Sequence, residues 1–145
     1  MTPEGYDHIA HGLFVGSAPP PRTDLRADRI DTLVLAAKEY QPPSSAFPGV
    51  EVLRVDLNDD GSPVKRQEVI DALSMAAKVH RRLMRGHRVL VTCAQGRNRS
   101  GLIAALELRM SGYSPTQAIK AIRKARGPEA LSNLDFLYIV HEFRS

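Results

Sequence analysis

At 145 residues the chain is long enough for one domain with a substantial core and too short for two full catalytic domains. Lys and Arg total 20 against 16 Asp and Glu, a formal charge of +4, and 43% hydrophobic with 25% charged residues excludes a disordered chain. No apolar run approaches the roughly 18 residues that cross a bilayer, and the opening MTPEGYDHIAHG has no basic region followed by an apolar one, so a cytoplasmic protein is expected.

Residues 13–15, 32–36 and 50–55 are short runs of branched apolar residues bounded by Gly, Pro or Asp, and read as strands. Residues 64–85 follow, with Val69, Ile70, Leu73, Ala76, Ala77 and Leu83 at helical spacing. Ser62 and Pro63 suit the N-cap and first position of that helix, and Gly86 the position past its end. A fourth strand at 88–92 completes a strand–helix–strand crossover, the connection that makes parallel neighbours in a sheet. The remainder is helical. GLIAALELRM is closed by Ser111 and Gly112, and Ser114, Pro115 and Gln117 open a basic helix to about Arg126. Gly127 and Pro128 break it, and a last helix capped by Ser132 runs through LDFLYIVHEF. The expected architecture is α/β: a single domain over 1–145 with a short, mostly parallel central sheet flanked by helices.

The single cysteine, Cys93, excludes an intrachain disulfide and any multi-cysteine metal or iron–sulfur site. His8 and His11 have the only metal-like spacing among the five histidines, and they read as a solvated approach to the first strand. Neither a metal nor a cofactor is expected.

The chemistry concentrates in Val89-Leu-Val-Thr-Cys-Ala-Gln-Gly-Arg-Asn-Arg-Ser-Gly101. A cysteine ends an apolar strand, an arginine follows six residues later, and a helix starts at once. The N–H groups from Ala94 through Gln95, Gly96, Arg97 and Asn98 to Arg99 can turn inward around an oxyanion at a helix N-terminus, where free donors and the helix dipole favour negative charge. Gly96 allows the backbone conformation such a loop needs. Arg99 adds a planar fork for two phosphoryl oxygens, and the same field favours the thiolate of Cys93. A lone Cys is most often a small buried hydrophobe. Gly three residues after it, Ser directly after the Arg, the apolar strand before and the helix beyond together make that reading the poorer one. A carboxylic acid above the cradle is also needed to protonate the leaving oxygen, and Asp56, Asp59 and Asp60 are the candidates.

These residues resemble the signature of the cysteine-dependent protein tyrosine phosphatase superfamily, (H)C-x-x-G-x-x-R-(S/T), here Thr92, Cys93, Gly96, Arg99 and Ser100. GLFVGSAPP, VLRVDLNDD and RKARGPEALSNLDFL resemble further segments of its dual-specificity phosphatases. Absence of Trp excludes the Trp-Pro-Asp acid loop of the larger phosphotyrosine-specific domains. The resemblance implies a metal-free phosphate monoester hydrolase in which Cys93 attacks phosphorus, Arg99 and the loop amides hold the equatorial oxygens, and Asp59, the best match to the family's acid, protonates the leaving group and then activates water. Ser100 matches the hydroxyl that stabilises the departing thiolate. Thr92 departs from the usual His, and its hydroxyl is expected to replace that side chain in part.

Phosphotyrosine in proteins is the expected substrate, with phosphoserine and phosphothreonine as further candidates. Lipid phosphatases of the superfamily resemble this chain in having a cation at the position of Arg97, but Ala94 stands where they have a second one, so phosphoinositide or phosphatidylglycerophosphate is the alternative. A phosphate-binding module without turnover is a more distant one. Lys120, Arg123, Lys124 and Arg126 read as a solvated helix face. No nucleic-acid partner is expected from a charge of only +4, and a monomer is compatible with the sequence.

Overall fold

The computed structural model describes residues 5–144. Five strands, β1 (Tyr6–Ala10), β2 (Leu13–Ser17), β3 (Thr32–Ala37), β4 (Glu51–Leu57) and β5 (Val89–Cys93), form one sheet in the order β1-β2-β5-β3-β4. The hairpin β1–β2 is antiparallel, and every other pairing is parallel. The helices are α1 (Arg66–Met84), α2 (Arg99–Met110), α3 (Pro115–Arg126) and α4 (Leu134–Glu142). This is a single-domain α/β fold.

Strand alternation divides the core between the two faces of the sheet. Val15, Val34, Val55, Val89, Val91 and Cys93 face the helices and pack with Met75, Val79, Ile103, Ile122 and Phe136. Phe14, Leu33, Leu35 and Leu90 face the other way, under Leu25, Ile30, Ala46 and Phe47 from two loops that each contain a 3₁₀ turn. Phe136 is 1% exposed. Phe136→Ala is therefore expected to lower the unfolding free energy by about 3–5 kcal/mol in urea denaturation.

Four expectations are corrected. Residues 6–10 form an edge strand and not a solvated approach, and His11 in the turn beyond it contacts the buried Glu107 at 3.0 Å. Although β4 and β5 are parallel, β3 lies between them, so α1 crosses over an intervening strand. Helix α1 begins at Arg66, because Asp60 captures both the N–H and hydroxyl of Ser62 while Glu68 reaches back to the Lys65 N–H at 3.2 Å. The N-cap of α4 is Asn133, whose side chain accepts from the Phe136 N–H, and not Ser132. By contrast, Ser114, Pro115 and Gln117 form the expected capping box with Pro in the first turn.

Candidate active site

Strand β5 delivers Cys93, 2% exposed, to the C-terminal edge of the sheet, and α2 starts six residues later with Arg99. The turn between them requires Gly96: its φ is +66°, and a Cβ there would lie 2.3 Å from the Gly16 carbonyl carbon. Gly16 is itself pressed against β1, where a Cβ would lie 2.4 Å from Gly5 O. A glycine inside an apolar strand was the available sign of this close approach.

A peptide N–H points away from the carbonyl of the preceding residue, so the loop's carbonyl partners fix where its donors aim. Ala18 N–H donates to Cys93 O at 2.8 Å, Leu131 N–H to Arg97 O at 3.1 Å, and Leu102 N–H to Asn98 O at 2.8 Å. The buried Arg126 donates from Nη2 to Gln95 O at 3.1 Å and from Nε to Gly96 O at 3.0 Å. These five ties turn the N–H groups of Ala94, Gly96, Arg97, Asn98 and Arg99 to the opposite side, and among the described residues none of the loop's amides has a backbone acceptor. The result is a concave ring of donors at a helix N-terminus, able to hold a tetrahedral oxyanion.

Two basic residues expected on a solvated helix face thus have other tasks. Arg126 is 3% exposed and paired with Asp7 at 2.8 Å. Arg123 donates to Ala130 O and Leu131 O, bracing the segment beyond α3. Arg126→Lys keeps the charge but cannot serve two adjacent carbonyls from one plane. It is expected to lower kcat/KM for para-nitrophenyl phosphate by about 10²-fold through misplaced donors. The inhibition constant of orthophosphate should rise in parallel, while far-ultraviolet circular dichroism stays that of the parent.

Arg99 reaches across to a residue that sequence reasoning missed. Its Nη1 and Nη2 donate to Glu39 Oε1 and Oε2 at 2.6 and 2.8 Å, and Nη1 also to Leu57 O. These bonds hold the Glu39 carboxyl down to about 2 and, in return, raise the guanidinium further above its ordinary range. The buried Arg99 Nε has no acceptor among the described residues. An anion on the loop is able to take a proton donor there that the protein leaves unpaired. Ser100 Oγ lies 3.2 Å from Cys93 Sγ.

The three acid candidates separate clearly. Asp56 is on β4 and lines an outer groove with Asp71, Ser74 and Lys78. Asp60 is turned back on its own loop, where hydrogen bonds from the Ser62 hydroxyl, then the Ser62 amide and the Asn58 side chain, push its carboxyl below the usual range and keep it ionised. Asp59 faces the cradle: Asn98 Nδ2, on the cradle loop, donates to Oδ2 at 2.9 Å, and Asn133 Nδ2, at the start of α4, to Oδ1 at 2.8 Å. Glu68 steadies the same loop by accepting from the Asn58 N–H at 3.0 Å. Thr92 does not stand in for a histidine beside the thiol. It points to the opposite face of the sheet from Cys93 and donates to Val34 O at 2.7 Å, tying β5 to β3. Arg97 is one-third exposed and 3.6 Å from Glu129.

No family model and no curated protein sequence matches the chain, whereas solved structures match over nearly its whole length. A mouse protein described as a dual-specificity phosphatase, solved with zinc tungstate, is 27% identical with a TM-score of 0.77, covering 94% of this chain and 84% of its own. Human DUSP28 is 26% identical with a TM-score of 0.75, covering 94% and 90%. PTPMT1 in complex with PI(5)P, 24% identical with a TM-score of 0.73 over 93% and 96%, shares the fold. Fold and neighbours together define a cysteine-dependent phosphatase. The solved structures that the chain resembles are dual-specificity and tyrosine phosphatases of the protein tyrosine phosphatase superfamily. No helix among the described residues is long and apolar enough to cross a membrane, and no group of three His, Cys, Asp or Glu there is placed to hold a metal ion.

Proposed function

We propose that the chain is one catalytic domain that hydrolyses phosphate monoesters through a cysteinyl-phosphate, with phosphotyrosine in proteins as its main substrate and phosphoserine and phosphothreonine as further ones. The observation that carries this reading is the loop from Cys93 to Arg99, five of whose carbonyls are tied to one side, which turns the following N–H groups to the other. In the first half-reaction Cys93 Sγ bonds to phosphorus as the ester P–O bond breaks. The loop amides from Ala94 to Arg99, those of Gln95, Gly96, Arg97 and Asn98 among them, hold the equatorial oxygens with the Arg99 guanidinium. Asp59 gives its proton to the leaving oxygen. In the second, Asp59 takes a proton from water, water oxygen bonds to phosphorus, and the P–S bond breaks. Ser100 Oγ, 3.2 Å from the sulfur, is placed to hydrogen-bond the departing thiolate.

Phosphate release from para-nitrophenyl phosphate, phosphotyrosine, phosphoserine and phosphothreonine peptides, a phosphoinositide and phosphatidylglycerophosphate tests this. The expected order puts phosphotyrosine peptides among the best substrates. Efficient release from the lipids with none from the peptides would replace the protein reading by the lipid one, and no release from any of them would leave a binding module.

A further inference from the structure

The net charge of +4 suggests a surface that draws in anions of every kind, yet the charges touching the cradle do not add up that way. Each cation there is already matched by a carboxylate: Arg99 by Glu39, Arg126 by Asp7 and Arg97 by Glu129. Asp59, held by two neutral amides, adds no cation to the set. The excess of Arg lies elsewhere. Arg81 and Arg82 in the last turn of α1, Arg85 just past it and Arg88 before β5 lie at the opposite edge of the sheet from Cys93.

Glu129 is the most accessible member of this set, with a side chain 80% exposed. It is nevertheless fixed in place. The segment that carries it starts at Arg126, which grips the cradle, and ends at Leu131, whose N–H donates to Arg97 O. Arg123 braces the same segment through Ala130 O and Leu131 O. An exposed carboxylate is thereby held 3.6 Å from Arg97, the cation of the cradle loop that is one-third exposed.

We propose that Glu129 is a specificity-determining residue, selecting phosphopeptides whose flanks are basic or neutral over substrates that carry a second anion. The proposal rests on the phosphatase reading above. A second phosphate or acidic flank has to displace Glu129 from Arg97 and is then repelled by the displaced carboxylate, whereas a Lys or Arg beside the phosphorylated residue finds Glu129 80% exposed and held only by a long contact to Arg97. Because the Arg97–Glu129 pair is partly exposed and long, it opens readily. Its effect falls on selectivity and on salt dependence, as rim charges do.

The test compares kcat/KM of the parent, Glu129→Gln and Glu129→Lys on phosphotyrosine peptides with basic and with acidic flanks and on a soluble short-chain phosphoinositide, with para-nitrophenyl phosphate as reference. The parent is expected to favour the basic flank, and Glu129→Lys to move the basic-to-acidic ratio by about tenfold or more at low ionic strength, with Glu129→Gln between and the difference shrinking in high salt. Turnover of para-nitrophenyl phosphate should stay within about twofold in both variants, which also reports that they fold. Inhibition of that turnover by pyrophosphate relative to orthophosphate supplies a second measure, expected to strengthen in Glu129→Lys. A ratio that moves less than twofold in both variants, or a parent that favours the acidic flank or the phosphoinositide, overturns the proposal. If no peptide is turned over, the pyrophosphate measure decides. Absence of para-nitrophenyl phosphate turnover by the parent would instead overturn the phosphatase reading itself.

Discussion

Cys93→Ser is expected to bring phosphate release down to background, a fall of about 10⁴-fold or more, while binding of a phosphate ester survives. The reasoning separates what binds from what reacts. Binding comes from backbone donors aimed by Ala18, Arg126, Leu131 and Leu102 and from Arg99 braced on Glu39, none of which involves the sulfur. Reaction needs an anionic nucleophile at the floor of the ring, and a serine hydroxyl at neutral pH is not one. Steady-state release of phosphate from para-nitrophenyl phosphate, with calorimetric titration of tungstate or a phosphotyrosine peptide into the variant, measures both halves. Hydrolysis within tenfold of the parent would rule out the covalent route. Loss of binding together with turnover would show that the sulfur also organises the loop.

The second large effect is expected for Asp59→Asn. A poor leaving group must receive a proton as its bond to phosphorus breaks, whereas an activated aryl oxide leaves unaided. Phenyl phosphate hydrolysis should therefore slow by roughly 10²- to 10⁴-fold, with a smaller loss for an activated aryl phosphate. An asparagine retains the size of the side chain and can accept from one of Asn98 and Asn133, while its own NH2 requires the other amide to turn its oxygen inward. Asp60→Asn is the built-in control, because the Ser62 hydroxyl and amide keep that carboxylate ionised and turned away. If the dependence on the leaving group appeared in Asp60→Asn and not in Asp59→Asn, the acid would have been assigned one residue too early.

What the sequence disclosed follows from the range of the interactions involved. The capping box of α3 was legible because Ser114, Pro115 and Gln117 act within a single turn. Cys93, Gly96, Arg99 and Ser100 were legible because the cradle is built within eight consecutive residues. Its supports were not: Glu39 lies 60 residues from Arg99, and Arg126 lies 30 from Gly96. Nothing about an acid after β3 or an arginine at the end of a basic helix announces such a partner. The start of α1 was misplaced for a different reason. Ser62 carries the composition of an N-cap, but Asp60, two residues earlier, competes for it, and Asp135 takes the Val64 N–H from 71 residues away. Strand β1 lacks apolar alternation and exists by pairing with β2 and through the Asp7–Arg126 bridge.

Because the donor ring is oriented from behind, through carbonyls, the side chains at Ala94 and Gln95 contribute little to its shape and are both exposed. Those positions are open lettering on a rigid frame. Substrate preference can drift there by single substitutions without loss of the catalytic apparatus, while Gly16 and Arg126, outside the recognisable motif, tolerate almost no change. The motif that identifies the site therefore contains both its fixed residues, Cys93, Gly96 and Arg99, and its freest ones, and further constrained positions lie in β2 and α3.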